Sequence, residues 1–179
     1  IVPVMAGAAS SGIGAPQLLD ALLHLMPSPD ESPTVVATDA DGQEVQLDGQ
    51  ANGPLAALVF KSSANPFVGK LSYFRVYSGT LKSDSQIWDG AADEGERVGQ
   101  VFHVTGKTQE ATDGITAGDI GAAPKLTSVL TGHTLSSREE PVTLPGIEFP
   151  GPIYQRAVYP KSKADVDKMT TSLARIAEE

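Results

Sequence analysis

Three observations predict a mainly β protein with a helix near each end. Between Pro54 and about Leu144 the chain passes through short apolar or alternating runs, "LAALVF", "KLSYFRVY", "SQIW", "RVGQVFHV" and "PVTL". Between these runs lie the turn-forming stretches "NPFVG", "SGTLKSDS", "TAGD" and "LTGH". Many short strands joined by turn chemistry make a closed barrel or a sandwich rather than a parallel sheet. Helical periodicity occurs only outside that region, over Leu18 to Met26 and over Val166 to Ile176.

The chain opens with an apolar segment, "IVPVMA", which predicts a strand, followed by "GAASSGIG" and a helix. Gly7, Gly12 and Gly14 are spaced G-x-x-x-x-G-x-G, one residue longer than the G-x-x-x-G-x-G turn of short-chain dehydrogenases. A dinucleotide site also needs a second strand ending in an acidic residue about 20 positions on. None is legible there, and a dehydrogenase is set aside. Pro16 suits the first turn of the helix, where a missing N–H costs nothing, and Pro27 ends it. Leu18, Leu19, Leu22, Leu23 and Met26 give it one apolar face.

Residues 27–50 read as a linker. Asp30, Glu31, Asp39, Asp41, Glu44 and Asp48 occur there with no lysine or arginine, which predicts a mobile, solvated segment. After the β region, "IYQRAVYP" predicts a strand, and Ser162 with Asp165 three residues on is a weak form of the capping box at the start of a helix. Val166, Met169, Leu173 and Ile176 line one face of that helix, which should be covered by the barrel, by the first helix or by a second copy of the chain. Both ends read as cut inside an element, which predicts a piece of a longer protein.

Composition bounds the function. Thirteen basic and twenty-two acidic residues among 179 give a net charge of −9, which argues against coating DNA or other nucleic acid through overall charge. The absence of cysteine excludes disulfides and thiolate metal sites, and fits a reducing, cytoplasmic setting. No apolar run approaches the ~20 residues of a membrane span.

Several stretches taken together resemble one family, the translational GTPases of the elongation factor G type. They are "PFVGKLSYFRVYSGTLKS", "AGDIGA", "TGHTL", "EFPGP" and "YPKSKADVDKM", in the family's order and near its spacing. "GKTQE" and "GDIGA" look more like the elongation factor G-like paralogues than the housekeeping translocase. The resemblance implies that residues 1–26 are the tail of a GTP-binding domain and 51–146 a six-stranded translation-factor β-barrel. It further implies that 147–179 are the opening strand and helix of a ferredoxin-like third domain, with 27–50 as the linker. It also implies a cytoplasmic parent that hydrolyses GTP with magnesium, and a barrel that docks on the RNA of the small ribosomal subunit during translocation.

Site residues follow by position. In the family a G-S-A loop sets backbone amides against the guanine base, and its counterpart is Gly7, Ala8 and Ala9. Alanine at position 8 removes a hydroxyl whose hydrogen bond would be worth roughly 0.5–1.5 kcal/mol. The chain has no G-x-x-x-x-G-K-[ST] phosphate loop, so by itself it should be inactive and hold no nucleotide. Between Leu55 and Ser83, Lys61, Lys70, Arg75 and Lys82 occur without a single acidic residue. The bland reading is a solvated sheet face; the functional one is contact with ribosomal RNA phosphates. Lys70 and Arg75 are separated by an odd number, which sends them to opposite faces of a regular strand. Lys61, Lys70 and Lys82 are therefore the expected contacts, with Arg75 a packing residue.

The remaining candidates read as structural. His24, His103 and His133, the last where the family has aspartate, show no second ligand at zinc spacing, and no metal or catalytic residue is assigned. Asp93, Glu94 and Glu96 read as a solvated hairpin tip, and Trp88 as a barrel side chain. Two alternatives stand beside translocation: a ribosomal protection or regulatory GTPase, and a β-barrel binding module outside translation.

Overall fold

The computed structural model describes residues 2–29, 31, 34–65 and 69–177. They form two compact units, 1–33 and 34–179. In the first, residues 2–7 form no strand, contrary to expectation, because no described strand offers a ladder for their backbone. The glycine loop closes on itself instead. Ala8 and Ile13 form an isolated bridge, with a 3-10 turn over Ala9–Ser11 between them. Gly14 has φ +84°, and a Cβ there would lie 2.8 Å from the carbonyl oxygen of Ala6, so the turn admits glycine alone. Helix α1 (Ala15–Leu25) follows, with Pro16 in its first turn and Met26, in extended conformation, ahead of Pro27. Its leucines, Leu18, Leu19, Leu22 and Leu23, are exposed in the chain.

The second unit is mainly β. Residues 27–50, expected as a linker, contain a hairpin, β1 (Val35–Asp39) and β2 (Glu44–Leu47). Its turn is held by Asp39 Oδ1, which accepts the amides of Asp41 at 2.9 Å and Gln43 at 2.8 Å. The acidic residues obscure a true alternation. Ala37 and Leu47 point inward and pack with Ala56, Val142 and Leu144, while Val36, Thr38, Glu44 and Gln46 alternate outward. A third strand, β13 (Val142–Thr143), completes this small sheet in the order β13-β1-β2.

The barrel wall begins with the long hairpin β3 (Ala56–Asn65) and β4 (Gly69–Ser78). Next come β5 (Thr80–Lys82), β6 (Gln86–Asp89), β7 (Glu94–Arg97), β8 (Val101–Thr105) and β9 (Thr108–Thr112). The wall ends with β10 (Gly114–Thr116), β11 (Ile120–Pro124) and β12 (Thr134–Ser136). Eight of these strands form an antiparallel sheet in the order β7-β6-β12-β3-β4-β11-β8-β9, and β5 pairs with β10 as a separate ribbon. All the described pairings are antiparallel, and the expected barrel is present, its wall divided among more and shorter segments than six strands. Val59, Phe74, Val76, Leu81, Ile87, Val101, Ile115 and Leu135, each from a different strand except Phe74 and Val76, meet in one buried core.

The C-terminal stretch departs from expectation. "IYQRAVYP" forms no strand: Ile153, Tyr154, Val158 and Tyr159 are exposed and have no described partner strand. Helix α2 (Val166–Ala177) forms as expected, entered through a 3-10 turn over Lys163–Asp165. Ser162 caps that turn by position, but its hydroxyl donates to Asp165 Oδ2 at 2.7 Å rather than accepting a backbone N–H. Val166, Leu173 and Ile176 are exposed, so the described residues of the second unit do not provide the cover expected from the barrel. No helix among the described residues is long and apolar enough to cross a membrane.

Candidate nucleic-acid interface

The outward face of β4 carries Tyr73, Arg75 and Tyr77 at alternate positions, half-buried between fully buried Phe74, Val76 and Ser78. A bulge at Phe60 shifts the β3–β4 register, so that Lys61 pairs with Tyr73 while Leu58 pairs with Arg75. Residues paired across an antiparallel ladder share a face. Lys61 therefore joins the stripe, its Nζ 5.8 Å from the centre of the Tyr73 ring, and the Arg75 guanidinium lies 5.1 Å from that of Tyr77. On the other edge of β4, Ile120 pairs with Arg75 and Ala122 with Tyr73.

The basic residues singled out in the sequence do not converge as one group. Lys61 and Arg75 share the β4 face. Lys70, on the same strand but of opposite parity to Arg75, donates from Nζ to the carbonyl of Val129 at 2.6 Å and is half-buried. Lys82 is exposed on β5, in the separate ribbon. As expected, the Arg75 stem packs along the wall: its Nε is buried and has no hydrogen-bond partner among the described residues. The aromatic partners were legible as period-two alternation in "YFRVY", a signal hidden when only the cations are followed.

Beside this stripe lies an open cleft of about 380 Å³ lined by Tyr73, His103, Val104, Thr105, Asp119, Ile120 and Gly121. His103 Nδ1 is 3.7 Å from Asp119 Oδ2, and Asp119 Oδ1 accepts the Ile120 amide at 2.7 Å. Half the Ile120 surface is exposed at its edge. A side chain at Gly121 would meet Ile115 Cγ1 at 2.5 Å, so the barrel interior requires the bare backbone that floors the cleft.

Two polar contacts whose partners are not legible in the sequence are built into the fold. Glu96, expected at a solvated tip, bridges from β7 to the loop after β11. Its Oε1 accepts the Thr127 amide at 2.6 Å and hydroxyl at 2.9 Å, and its Oε2 accepts the Ser128 amide at 3.3 Å and hydroxyl at 2.7 Å. Partial burial raises its pKa, but these four donors outweigh it and hold the carboxyl below its ordinary value. His133 pairs with the buried carboxylate of Asp89. Trp88 is half-buried in the wall, with Arg138 over its ring at 5.4 Å. No three His, Asp or Glu side chains among the described residues converge as a metal site.

In the loop Gly7, Ala8, Ala9, the Ala8 amide donates to the Ile13 carbonyl at 2.9 Å. A side chain at Gly7 would meet the Ile13 carbonyl oxygen at 2.7 Å.

Residues 54–138 match the family model of elongation factor G domain 2. A crystal structure of a protein from Thermus thermophilus is similar over 99% of the chain, with 27% identity and a TM-score of 0.75. The chain spans 24% of that protein's length.

Proposed function

We propose, from the match of residues 54–138 to the elongation factor G domain 2 family model, that the chain is part of an elongation factor G-like translational GTPase. In this reading residues 1–26 end the GTP-binding domain, the barrel is the second domain, and 147–179 begin the third. The parent protein is cytoplasmic and hydrolyses GTP with magnesium. Its barrel docks on the RNA of the small ribosomal subunit and couples hydrolysis to translocation. Within this chain the Gly7–Ala9 loop contributes base contact through the Ala9 amide, and phosphate and magnesium are held by parts of the parent that the chain does not supply.

The observation that carries the docking role is the stripe Lys61, Tyr73, Arg75, Tyr77 on the outer face of β3 and β4, exposed at Lys61 and half-buried at the other three. Cations at its margin neutralise phosphates despite a net charge of −9, because screening beyond about 10 Å makes the local patch decisive. Lys61 and Arg75 lead this surface, with Lys82 at a separate contact. Lys70 contributes less, its ammonium being engaged by Val129.

Cosedimentation of the chain with purified small ribosomal subunits across a salt series tests the reading. Binding that weakens linearly in log–log form, with roughly one unit of slope lost per phosphate contact removed, supports it. Absence of cosedimentation at low salt would refute it.

A further inference from the structure

We propose that the cleft between Tyr73 and Ile120 receives one unpaired base of an RNA strand whose phosphates pass over Lys61 and Arg75. The proposal rests on the docking role above and assigns that surface a specific ligand.

The chemistry of the cleft is divided. Its lining includes the Tyr73 ring and the half-exposed Ile120 side chain, neighbours on the same sheet face whose apolar surfaces suit the face of a base. Aromatic platforms of this kind stack every base, whatever its sequence. The polar groups, His103 and Asp119, are each about half exposed, and the Asp119 carboxylate is of the wrong sign for a phosphate. Asp119 presents a carboxylate whose Oδ1 already accepts the Ile120 amide, leaving acceptor capacity on both oxygens. That carboxylate repels a phosphate and accepts from an exocyclic amino group, which adenine, guanine and cytosine carry and uracil does not. His103 beside it, 3.7 Å away, adds ring nitrogens for a base edge. The cations stand outside: Lys61 faces Tyr73 across the ladder, and Arg75 faces Ile120. A strand crossing this face therefore places backbone on the rim and base in the cleft. The volume, about 380 Å³, falls within the range of small-ligand sites.

The test is fluorescence anisotropy of the 179-residue chain with short labelled oligoadenylate and oligouridylate at low salt. Oligoadenylate should bind more tightly. Tyr73→Ala should weaken it about 5- to 150-fold, the range of a lost base stack, while Tyr73→Phe keeps it. Ile120→Ala, at an exposed position that does not threaten folding, should weaken it in the same direction, and Asp119→Ala should abolish the preference over oligouridylate. Equal binding of both oligomers, or undiminished binding by Tyr73→Ala and Ile120→Ala, overturns the proposal, as does no binding of either. Small-subunit cosedimentation that persists in any of these cases leaves the docking role standing; its loss in the wild-type chain removes that role as well.

Discussion

His133 Nδ1 lies 2.7 Å from Asp89 Oδ2, and the other oxygen of the same wholly buried carboxylate accepts the amides of Ala91 at 3.0 Å and Ala92 at 3.3 Å. One carboxylate thus ties the turn after β6 to the residue that leads into β12. His133→Ala would leave a buried carboxylate short of a donor, and should lower stability by about 1–3 kcal/mol in urea unfolding. Asp89→Asn keeps an acceptor for the two amides and should cost less than Asp89→Ala. Equal midpoints for His133→Ala and wild type would show that water replaces the imidazole without loss.

Glu96 makes stability depend on pH in a definite direction. Its folded pKa lies below the ordinary value, so its contribution is fully present above the unfolded pKa and is lost as pH falls through the folded one. Unfolding free energy should therefore decline on the acid side of the ordinary glutamate pKa, about 4.3, and Glu96→Gln should flatten that decline. At neutral pH the same substitution should cost about 0.5–1 kcal/mol, since the carboxylate still meets solvent. Parallel pH profiles for variant and wild type would contradict this account.

Gly79 joins β4 to β5 with φ +75°, and a Cβ there would come 2.8 Å from Leu55 Cα and 2.9 Å from the Gly53 carbonyl oxygen. Both its backbone groups are engaged, the amide with Gln50 at 2.8 Å and the carbonyl with Ala117 at 3.0 Å. Gly79→Ala thus combines a left-handed conformation with a backbone clash, and should destabilise by about 2–4 kcal/mol. A denaturation midpoint within error of wild type would mean that the turn relaxes freely.

How far these features were legible depends on the range of the interaction. Turn residues and period-two runs from Leu55 to Leu144 announced the barrel, because local propensity and burial agree there. The β1–β2 hairpin was missed since the acidic residues in and around its turn and flanks dominate the composition of 27–50, while the inward positions of its short strands are few. "IYQRAVYP" was misread for the opposite reason: its residues favour a strand, but a strand also needs a neighbour to pair with. The Glu96 clamp and the cleft join residues from separate loops and strands, Glu96 with Thr127 and Tyr73 with His103 and Asp119. Spacing along the chain carries no trace of such pairings.

Nucleotide binding by this chain should be negligible. Gly106, Lys107 and Thr108 match the end of a phosphate loop, but position 101, where its first glycine belongs, is valine, and the segment forms the tip of the β8–β9 hairpin. Calorimetric titration with GTP or GDP should give no measurable heat of binding, and micromolar affinity would show that the Gly7–Ala9 loop holds more than a base.

The last prediction separates two kinds of lysine on one hairpin. Lys61 is exposed and stacked on Tyr73, whereas the Lys70 ammonium donates to Val129 at 2.6 Å from a half-buried position. Removing Lys70 deprives that carbonyl of its donor, and Lys70→Ala should cost about 1–2 kcal/mol of stability while leaving the salt slope of small-subunit binding nearly unchanged. Lys61→Glu and Arg75→Glu should do the reverse. Each removes a cation from the outer face of the β3–β4 hairpin, so each should weaken binding and lower the slope by about one unit, and the two together by about two. Lys61→Glu should leave the urea midpoint close to wild type, because Lys61 is exposed and its partner among the described residues is the Tyr73 ring. Arg75→Glu should also cost some stability, since the Arg75 stem is packed against the wall. The slope, measured alongside the midpoint for each variant, distinguishes a phosphate contact from a structural donor. A slope that falls with Lys70→Ala but not with Lys61→Glu would move the interface from the β4 face to the end of the hairpin.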